Sequence, residues 1–133
     1  MVDVVVQSGK RRSSIARAVA RKGKGRIRIN KMLLDVYQPE FMRNLIEEPI
    51  RLAEKHVKKM DIEVKVKGGG VMSQTEAART AIAKAIIAFT NDEELKQMFI
   101  EYDRTLLVSD TRRKEPKKQL GRGARKKRQK SYR

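Results

Sequence analysis

The stretch from residue 61 to residue 89, DIEVKVKGGGVMSQTEAARTAIAKAIIAF, decides the fold class of this chain. Its first part places Ile62, Val64 and Val66 at every second position between charged residues, which is the period of a β-strand with one buried face. A run of glycines follows, and then small apolar residues recur at helical spacing. Because alanine lets two backbones approach closely, this pattern predicts a strand, a tight connection and a helix packed on the sheet.

Other stretches extend the predicted sheet. GRIRIN at 25–30 alternates isoleucine with mostly basic residues, and VDVVVQ at 2–7 is rich in β-branched valine. SSIARAVARKGKG at 13–25 is ambiguous, because Ile15 and Val19 lie four residues apart, as on a helix face, but also share one side of a strand. Periodicity alone leaves both interpretations of this last stretch open.

The helices are marked by their ends. QPEFMRNLIEEP at 38–49 has Pro39 at a plausible first helical position and Pro49 as a stop signal. Ser73 and Glu76 have the spacing of a capping box, which predicts that the long helix starts there. Asn91 is a candidate N-cap for a further helix, whose acidic first turn suits the positive end of the helix dipole.

The order of elements is then β, β, β, α, β, α, α, with TLLVSD at 105–110 forming either a short last strand or an extended segment. This order predicts an α+β fold for residues 1–110. We expect a small two-layer sandwich, in which helices pack on one mostly antiparallel sheet of four strands.

The basic residues are concentrated in two segments. The chain carries a net charge of +17, from 33 basic and 16 acidic residues. Residues 10–28 include nine basic residues and no acid, and residues 111–133 include twelve basic residues and a single acid, Glu115. The rest of the chain has a net charge of only −3, so the sequence describes a nearly neutral body with two strongly basic segments.

The second basic segment, residues 111–133, is predicted to be an extended tail. Pro116, Gly121 and Gly123 interrupt any helix, and dense like charge with few apolar residues favours disorder in isolation. Arginine forks and lysine ammonium groups suit phosphates, so the expected partner is a nucleic-acid backbone on which the tail becomes ordered. Because aromatic residues are few, backbone and shape recognition of RNA fits better than reading of bases.

The glycines of KGGGVMSQTE at 67–76 allow two interpretations. They leave backbone N–H groups open to a phosphate at a helix N-terminus, or they form a tight turn that needs positive φ and binds nothing. Local sequence does not choose between the two, although Lys67 and Arg79 on either side favour a phosphate contact slightly.

Nothing in the sequence indicates an enzyme. His56 is the only histidine and the chain has no cysteine, so we expect no metal, no cofactor and no small-molecule substrate. SGKRRSS at 8–14 matches a nucleotide-binding loop only weakly, because the upstream glycine is missing. With no apolar run of about 20 residues and no signal-peptide pattern, we expect an intracellular protein without a membrane partner.

Several motifs resemble one known family. They are SGKRRSSIARA at 8–18, GRIRIN at 25–30, KGGGVMSQTEAARTAIAKAI at 67–86, DTRRKEPKK at 110–118 and QKSYR at 129–133. In this order they are similar to the ninth protein of the small ribosomal subunit, in its archaeal and eukaryotic form. The resemblance implies a fold of the ribosomal protein S5 domain 2-like type, in which residues 13–25 are strand and turn.

The resemblance also implies partners. Such proteins lie in the head of the small subunit of the cytoplasmic ribosome, on the 3′ major domain of its rRNA and beside other head proteins. Their tail reaches the anticodon stem-loop of the tRNA in the peptidyl site. The family often has an aromatic residue just before the QKSYR ending, and because this chain has Arg128 there, we expect a phosphate contact in place of stacking.

Two sets of site residues follow from the basic segments and these motifs. The expected rRNA-binding residues are Lys10, Arg11, Arg12, Arg17, Arg21, Lys22, Lys24, Arg26, Arg28, Gly68, Gly69, Gly70, Arg79, Arg112, Arg113, Lys114, Lys117, Lys118, Arg122, Arg125, Lys126, Lys127 and Arg128. The expected tRNA-binding residues are Lys130, Ser131, Tyr132 and Arg133.

Two other classes of protein stay open on charge alone. An architectural protein that compacts DNA or RNA would share the basic segments, but it would more often be a dimer with apolar wedges for base steps. A phosphate-handling enzyme would need carboxylates for a metal and a general base, and it would remain active without the tail.

Overall fold

The alternating stretches form one sheet, and the helices pack on one face of it. This computed structural model describes residues 4–37 and 39–132. The elements in chain order are β1 (Val4–Arg11), β2 (Ser14–Lys22), β3 (Ile27–Ile29), β4 (Met32–Leu33), α1 (Glu40–Leu52), α2 (Glu54–Val57), β5 (Met60–Lys67), α3 (Val71–Thr90) and α4 (Glu93–Tyr102). Short 3₁₀ turns lie at Leu34–Val36 and Arg104–Leu106.

The sheet has the strand order β1-β2-β5-β3-β4. Its neighbours are antiparallel except for β3 and β5, which run parallel. The predicted α+β class and mostly antiparallel sheet are therefore confirmed, but the sheet has five strands and not four. The additional strand β4 is only two residues long, and the left-handed residues Asn30 and Lys31 turn the chain back to form it.

The ambiguous stretch at 13–25 is strand β2 and the loop after it. Ala16, Ala18 and Ala20 face the helices and are fully buried, whereas Ile15 and Arg17 point to the other side of the sheet. The strand implied by the resemblance is thus confirmed. The predicted strand at 2–7 is also present and continues to Arg11, although its first two residues lie outside the described part of the chain.

The core lies between the sheet and α3. This helix packs across β1, β2 and β5, and α1 packs against its other side. Small buried residues of α3 allow this close approach, among them Ala77, Ala78, Ala81 and Ala85. Gly9 shows how close it is, because a Cβ there would lie 2.6 Å from the backbone nitrogen of Ala81.

Two of the predicted helix signals are wrong. Helix α3 begins before the predicted capping box, with Gly70 as its N-cap, and the C=O of Gly70 accepts from the N–H of Gln74 at 3.0 Å. Ser73 is therefore inside the helix and buried, and Glu76 binds an arginine instead of the helix end. Pro49 does not stop α1, because its ring is buried in the core and the helix continues to Leu52.

The last helix begins one residue later than predicted. The side chain of Asp92 accepts from the N–H groups of Glu94 and Leu95 at 3.0 and 3.4 Å, so Asp92 is the N-cap. Asn91 instead ends α3 in a left-handed conformation. Residues 105–110 form no strand of their own; they complete a 3₁₀ turn, and Asp110 makes a single parallel bridge with Arg11.

Candidate nucleic-acid interface

The sheet face opposite the helices carries a group of exposed cations. In the described part of the chain no helix covers this outer face. Its basic side chains come from β1, β2, β3 and β5, and all are exposed: Lys10, Arg17, Arg21, Arg28, Lys65 and Lys67. Among the described strands, Asp61 and Glu63 are the only acids on the same face. Most of the remaining carboxylates lie on the helices. The outer face is therefore the cationic side of the body.

Strand register places one pair of like charges directly opposite each other on this face. Arg17 lies directly opposite Lys65, and Ile15 lies between Lys10 and Lys67. Like charges directly opposite each other destabilise a sheet. The opposed pair of Arg17 and Lys65 therefore lowers the stability of the free protein, and an anionic partner would neutralise the two positive charges.

Lys65 is a candidate that sequence reasoning missed, and Lys67 entered it only as a neighbour of the glycines. Both lie outside the two basic segments, in a stretch that looks balanced in charge. The signal was nevertheless in the sequence, because the alternation of residues 61–67 places both lysines on the exposed face. No local pattern predicts the pairing of β5 with β2, which places Lys65 opposite Arg17 and Lys67 opposite Ile15.

Apolar side chains are exposed between these cations. Val6 and Ile15 are each 54% exposed on the outer face, and Val4 is also exposed. Contiguous exposed apolar groups on a sheet face are typical of an interaction surface. Together with the surrounding arginines and lysines they form a surface that suits ribose and phosphate groups.

The loop between β2 and β3 is held by one carboxylate. Oδ1 of Asp61 accepts from the backbone N–H groups of Lys24, Gly25 and Arg26 at 2.9, 3.1 and 2.9 Å. The bond from Arg26, with those from Lys24 and Gly25, lowers the pKa of Asp61 despite partial desolvation. The carboxylate thereby fixes a loop whose basic side chains are exposed at the edge of the outer face.

Two of the expected rRNA-binding arginines have partners inside the fold. The Arg11 side chain is 11% exposed, and its Nε donates to Glu76 at 2.6 Å. The Arg79 side chain is 12% exposed and pairs with Glu48 and, at 3.2 Å, with Asp103. These guanidinium groups join elements of the body, and their role in RNA binding remains a prediction.

The pairing with Arg79 also affects the ionisation of Asp103. Burial acts to raise its pKa, but hydrogen bonds from Thr105 and the pairing with Arg79 outweigh burial and leave the pKa lowered. This carboxylate is therefore ionised at neutral pH and serves the packing of α3 against the turn at Arg104–Leu106.

The glycines before α3 form a tight turn with positive φ. Gly68 and Gly69 have φ of 80° and 66°, and a Cβ on Gly69 would overlap Oγ of Ser14. The C=O of Gly68 accepts from Ser14 Oγ at 2.8 Å and from Gln74 Nε2 at 3.1 Å. Turn geometry thus accounts for both glycines. Gly70 has open space around it, and a phosphate contact in this region remains a prediction.

The tail contains one closed loop. Between residues 111 and 132 there is no helix or regular strand, but Gly121 and Lys127 form a bridge and the N–H of Arg128 donates to the C=O of Leu120 at 3.2 Å. Glu115 pairs with Arg125 at 3.0 Å. The basic side chains of the tail are exposed, namely Arg112, Arg113, Lys114, Lys117, Lys118, Arg122, Arg125, Lys126, Lys127, Arg128 and Lys130.

The expected tRNA-binding residues stand at the end of this tail. Lys130 and Ser131 are exposed, and Tyr132 is 90% exposed. Arg133 lies outside the described residues. The first three are therefore exposed to solvent, and their role in tRNA binding stays a prediction.

Residues 4–37 and 39–132 contain no group of three or more histidine, aspartate or glutamate side chains that could hold a metal ion. Among the helices described, none combines the length and apolar character needed to cross a bilayer.

Comparison with known proteins identifies the family. The model of the family "Ribosomal protein S9/S16" matches residues 9–133. "Small ribosomal subunit protein uS9" of Thermoplasma volcanium is 54% identical over 132 residues, which cover 99% of this chain and 100% of the relative. The proteins of the same name from Thermoplasma acidophilum and Methanococcus vannielii are each 54% identical, over 97% and 98% of this chain and 100% and 98% of their own lengths. This chain belongs to the ribosomal protein S9/S16 family.

Proposed function

We propose that this protein binds the rRNA of the small-subunit head with the outer face of its sheet and with its basic tail. As a member of its family it is a structural constituent of the small ribosomal subunit and not an enzyme. Its location is accordingly the cytoplasmic ribosome, where its partners are rRNA and other ribosomal proteins.

The observation that carries the proposal is the cross-strand pairing of Arg17 with Lys65 on a face that no helix of the described chain covers. A neutral partner would leave this repulsion in place. A phosphate between the two side chains would remove it and gain bonds from both. Lys10 and Lys67 flank the pair in the next row of the sheet, so a stretch of RNA backbone can follow the face.

The tail extends the same chemistry beyond the body. Its cations release counterions when they neutralise phosphates, and this gain offsets the conformational freedom that the tail loses. If the tail makes about six phosphate contacts, the affinity falls on the order of a thousandfold between about 50 and 200 mM salt.

The end of the tail is proposed to contact the anticodon stem-loop of the peptidyl-site tRNA. The resemblance assigns this role to Lys130, Ser131, Tyr132 and Arg133. Support comes from the exposure of the first three residues and from the absence of any apolar anchor to the body in this part of the described tail. Serine and tyrosine hydroxyls can bond phosphates, and the tyrosine ring can stack on a base.

The test of rRNA binding compares two double variants of the full chain. Arg17→Gln with Lys65→Gln removes the opposed pair, whereas Lys55→Gln with Lys96→Gln removes the same charge from helices α2 and α4. Binding to protein-free small-subunit rRNA of Thermoplasma acidophilum is measured against salt concentration. We expect the first variant to lose affinity about tenfold and to have a lower salt slope, and the second to stay close to wild type. Equal losses in both would show that only net charge matters and would overturn the assignment of the outer face.

A competition experiment separates this function from that of a DNA-compacting protein. Duplex DNA with a matched number of phosphates is added to the complex with rRNA. A ribosomal protein should remain on the folded rRNA, while an architectural protein should move to the duplex. Displacement by equimolar duplex DNA would contradict the proposal.

A further inference from the structure

The root of the tail is attached to the turn between β1 and β2. Asp110 forms a parallel bridge with Arg11, and its Oδ2 lies 3.6 Å from Nη2 of the same arginine. Nη1 of Arg11 donates to the C=O of Arg112 at 3.0 Å. In return, Nη2 of Arg113 donates to the C=O of Arg12 at 2.9 Å. Contacts therefore run in both directions between residues 11–12 and residues 110–113.

Arg11 is itself held rigidly. Its Nε donates to Oε2 of Glu76 in α3 at 2.6 Å, so the guanidinium is fixed between the helix and the tail root. With 11% of its side chain exposed, it has little contact with solvent. Arg11 is thus placed as a joint between the body and the tail and is poorly placed to meet RNA.

Asp110 fixes the conformation of the first tail residues by binding Arg112. Its Oδ1 accepts from the backbone N–H of Arg112 at 3.0 Å, and its carboxylate also binds the Arg112 side chain, with Nη2 at 2.8 Å. The bond from the Arg112 side chain, with that from the Arg112 backbone N–H, holds the pKa of Asp110 well below its usual range, so the carboxylate is ionised at neutral pH. Asp110 therefore turns the chain at the point where it leaves the body.

We infer that Arg11 and Asp110 form a latch that fixes the root of the tail to the β1–β2 turn before RNA is bound, and so sets the direction in which the tail leaves the body. Both are positioning residues. The latch brings Arg12 and Arg113, which are exposed, onto one surface that joins the outer face of the sheet to the tail.

The physical gain from the latch is pre-organisation. A tail that is free from residue 108 onward must lose conformational freedom along its whole length on binding, whereas a tail fixed through Arg113 has fewer residues left to order. A fixed root also raises the effective concentration of the tail near RNA that the body already holds. The inference rests on the proposed RNA-binding function, but the state of the latch can be measured without RNA.

The test compares two neutralised acids. Asp110→Asn removes the latch carboxylate, and Glu115→Gln removes a carboxylate that contacts only Lys118 and Arg125 within the tail. Both variants raise the net charge by one, so long-range electrostatics predicts that both bind RNA more tightly. If the latch exists, Asp110→Asn should instead weaken RNA binding, whereas Glu115→Gln should not.

The first measurement is of the free protein. The chain has no cysteine, so Gln97→Cys in α4 and Lys114→Cys in the tail can each be spin-labelled specifically. Double electron–electron resonance, a pulsed electron paramagnetic resonance method, then measures the distribution of distances between the two labels. We expect a narrow distribution in the wild-type background and with Glu115→Gln, and a broad one with Asp110→Asn. A broad distribution in the wild-type background, or a narrow one with Asp110→Asn, would overturn the latch.

The second measurement is binding to protein-free small-subunit rRNA of Thermoplasma acidophilum. We expect Asp110→Asn to weaken binding by about fivefold with an unchanged salt slope, and Glu115→Gln to bind as tightly as wild type or more tightly. An affinity gain of the same size in both variants would overturn the role of the latch in RNA binding. If no form binds rRNA while the distances behave as expected, the proposed function fails and the latch stands.

Discussion

Asp61 organises a basic loop through one carboxylate oxygen. The residues that donate to it, Lys24, Gly25 and Arg26, follow a glycine and have no regular secondary structure of their own. Hydrogen bonds to an ionised group are stronger than those between neutral groups. The loop is thus ordered by a residue that is more than 30 positions away in the sequence.

We predict that Asp61→Ala lowers the free energy of unfolding at pH 7 by about 1–3 kcal/mol, because three backbone donors lose a charged acceptor. Urea denaturation measures the change. Glu63→Ala is the matched control, since Glu63 is an exposed acid of the same strand. A loss as large in the control as in Asp61→Ala would show that charge on the outer face, and not the loop, is responsible.

The pH dependence of this effect has a definite sign. The pKa of Asp61 is lowered in the folded protein from its ordinary value of 3.8, so its contribution to stability is complete above about pH 5. It is lost as the pH falls through the lower, folded-state pKa. The difference between wild type and Asp61→Ala should therefore be constant from pH 7 to about pH 5 and should shrink only in stronger acid.

At the scale of single elements, the strands whose buried face carries isoleucine or valine could be predicted from alternation, and β2 and β4 could not. Alternation predicts β3 and β5 because isoleucine and valine mark their buried side. The buried side of β2 is made of alanines, which are equally common on helices, so periodicity left it open. Strand β4 has two exposed residues and no pattern at all; only the turn before it creates the pairing.

Only the part of the candidate site that lies in runs of basic residues could be predicted from the sequence. The two basic segments lead to the tail and to much of the outer face. Arg11 and Arg79 have partners that lie 65 and 31 residues away, and no local pattern reveals that these guanidinium groups are engaged inside the fold. For the same reason the spacing of Glu76 predicted a helix cap, because no local pattern reveals that Arg11 binds it.

The contact of β1 with α3 gives a prediction at this scale. Gly9→Ala should destabilise the fold by about 1–3 kcal/mol, because the added methyl group would meet the backbone of α3, which cannot rotate away as a side chain can. Gly70→Ala is the control: nothing lies within 4 Å of its Cβ position, and its φ of −92° suits alanine. Thermal unfolding measures both, and equal melting temperatures for the two variants would contradict the close packing described for β1.

At the scale of the whole molecule, the charge is distributed so that folding and binding use different parts of the chain. Helices and core carry most of the acids and nearly all buried apolar groups, whereas the outer face and the tail carry the excess of cations. Self-repulsion among these cations lowers the stability of the free protein and is relieved on a polyanion. Changes in the end of the tail should therefore affect binding and leave folding unchanged.

Deletion of residues 130–133 tests this separation. We predict that the melting temperature of the free protein stays the same, because Lys130, Ser131 and Tyr132 are exposed and form no hydrogen bond or ion pair with the described body. Small subunits assembled with the shortened chain should bind peptidyl-site tRNA about three- to tenfold more weakly, since a few phosphate or stacking contacts are lost. Filter binding of tRNA to reconstituted subunits measures the effect, and subunits containing Lys55→Gln, a change on the body, serve as the control. Unchanged tRNA affinity after the deletion would refute the role of the tail end in tRNA binding while leaving rRNA binding by the outer face intact.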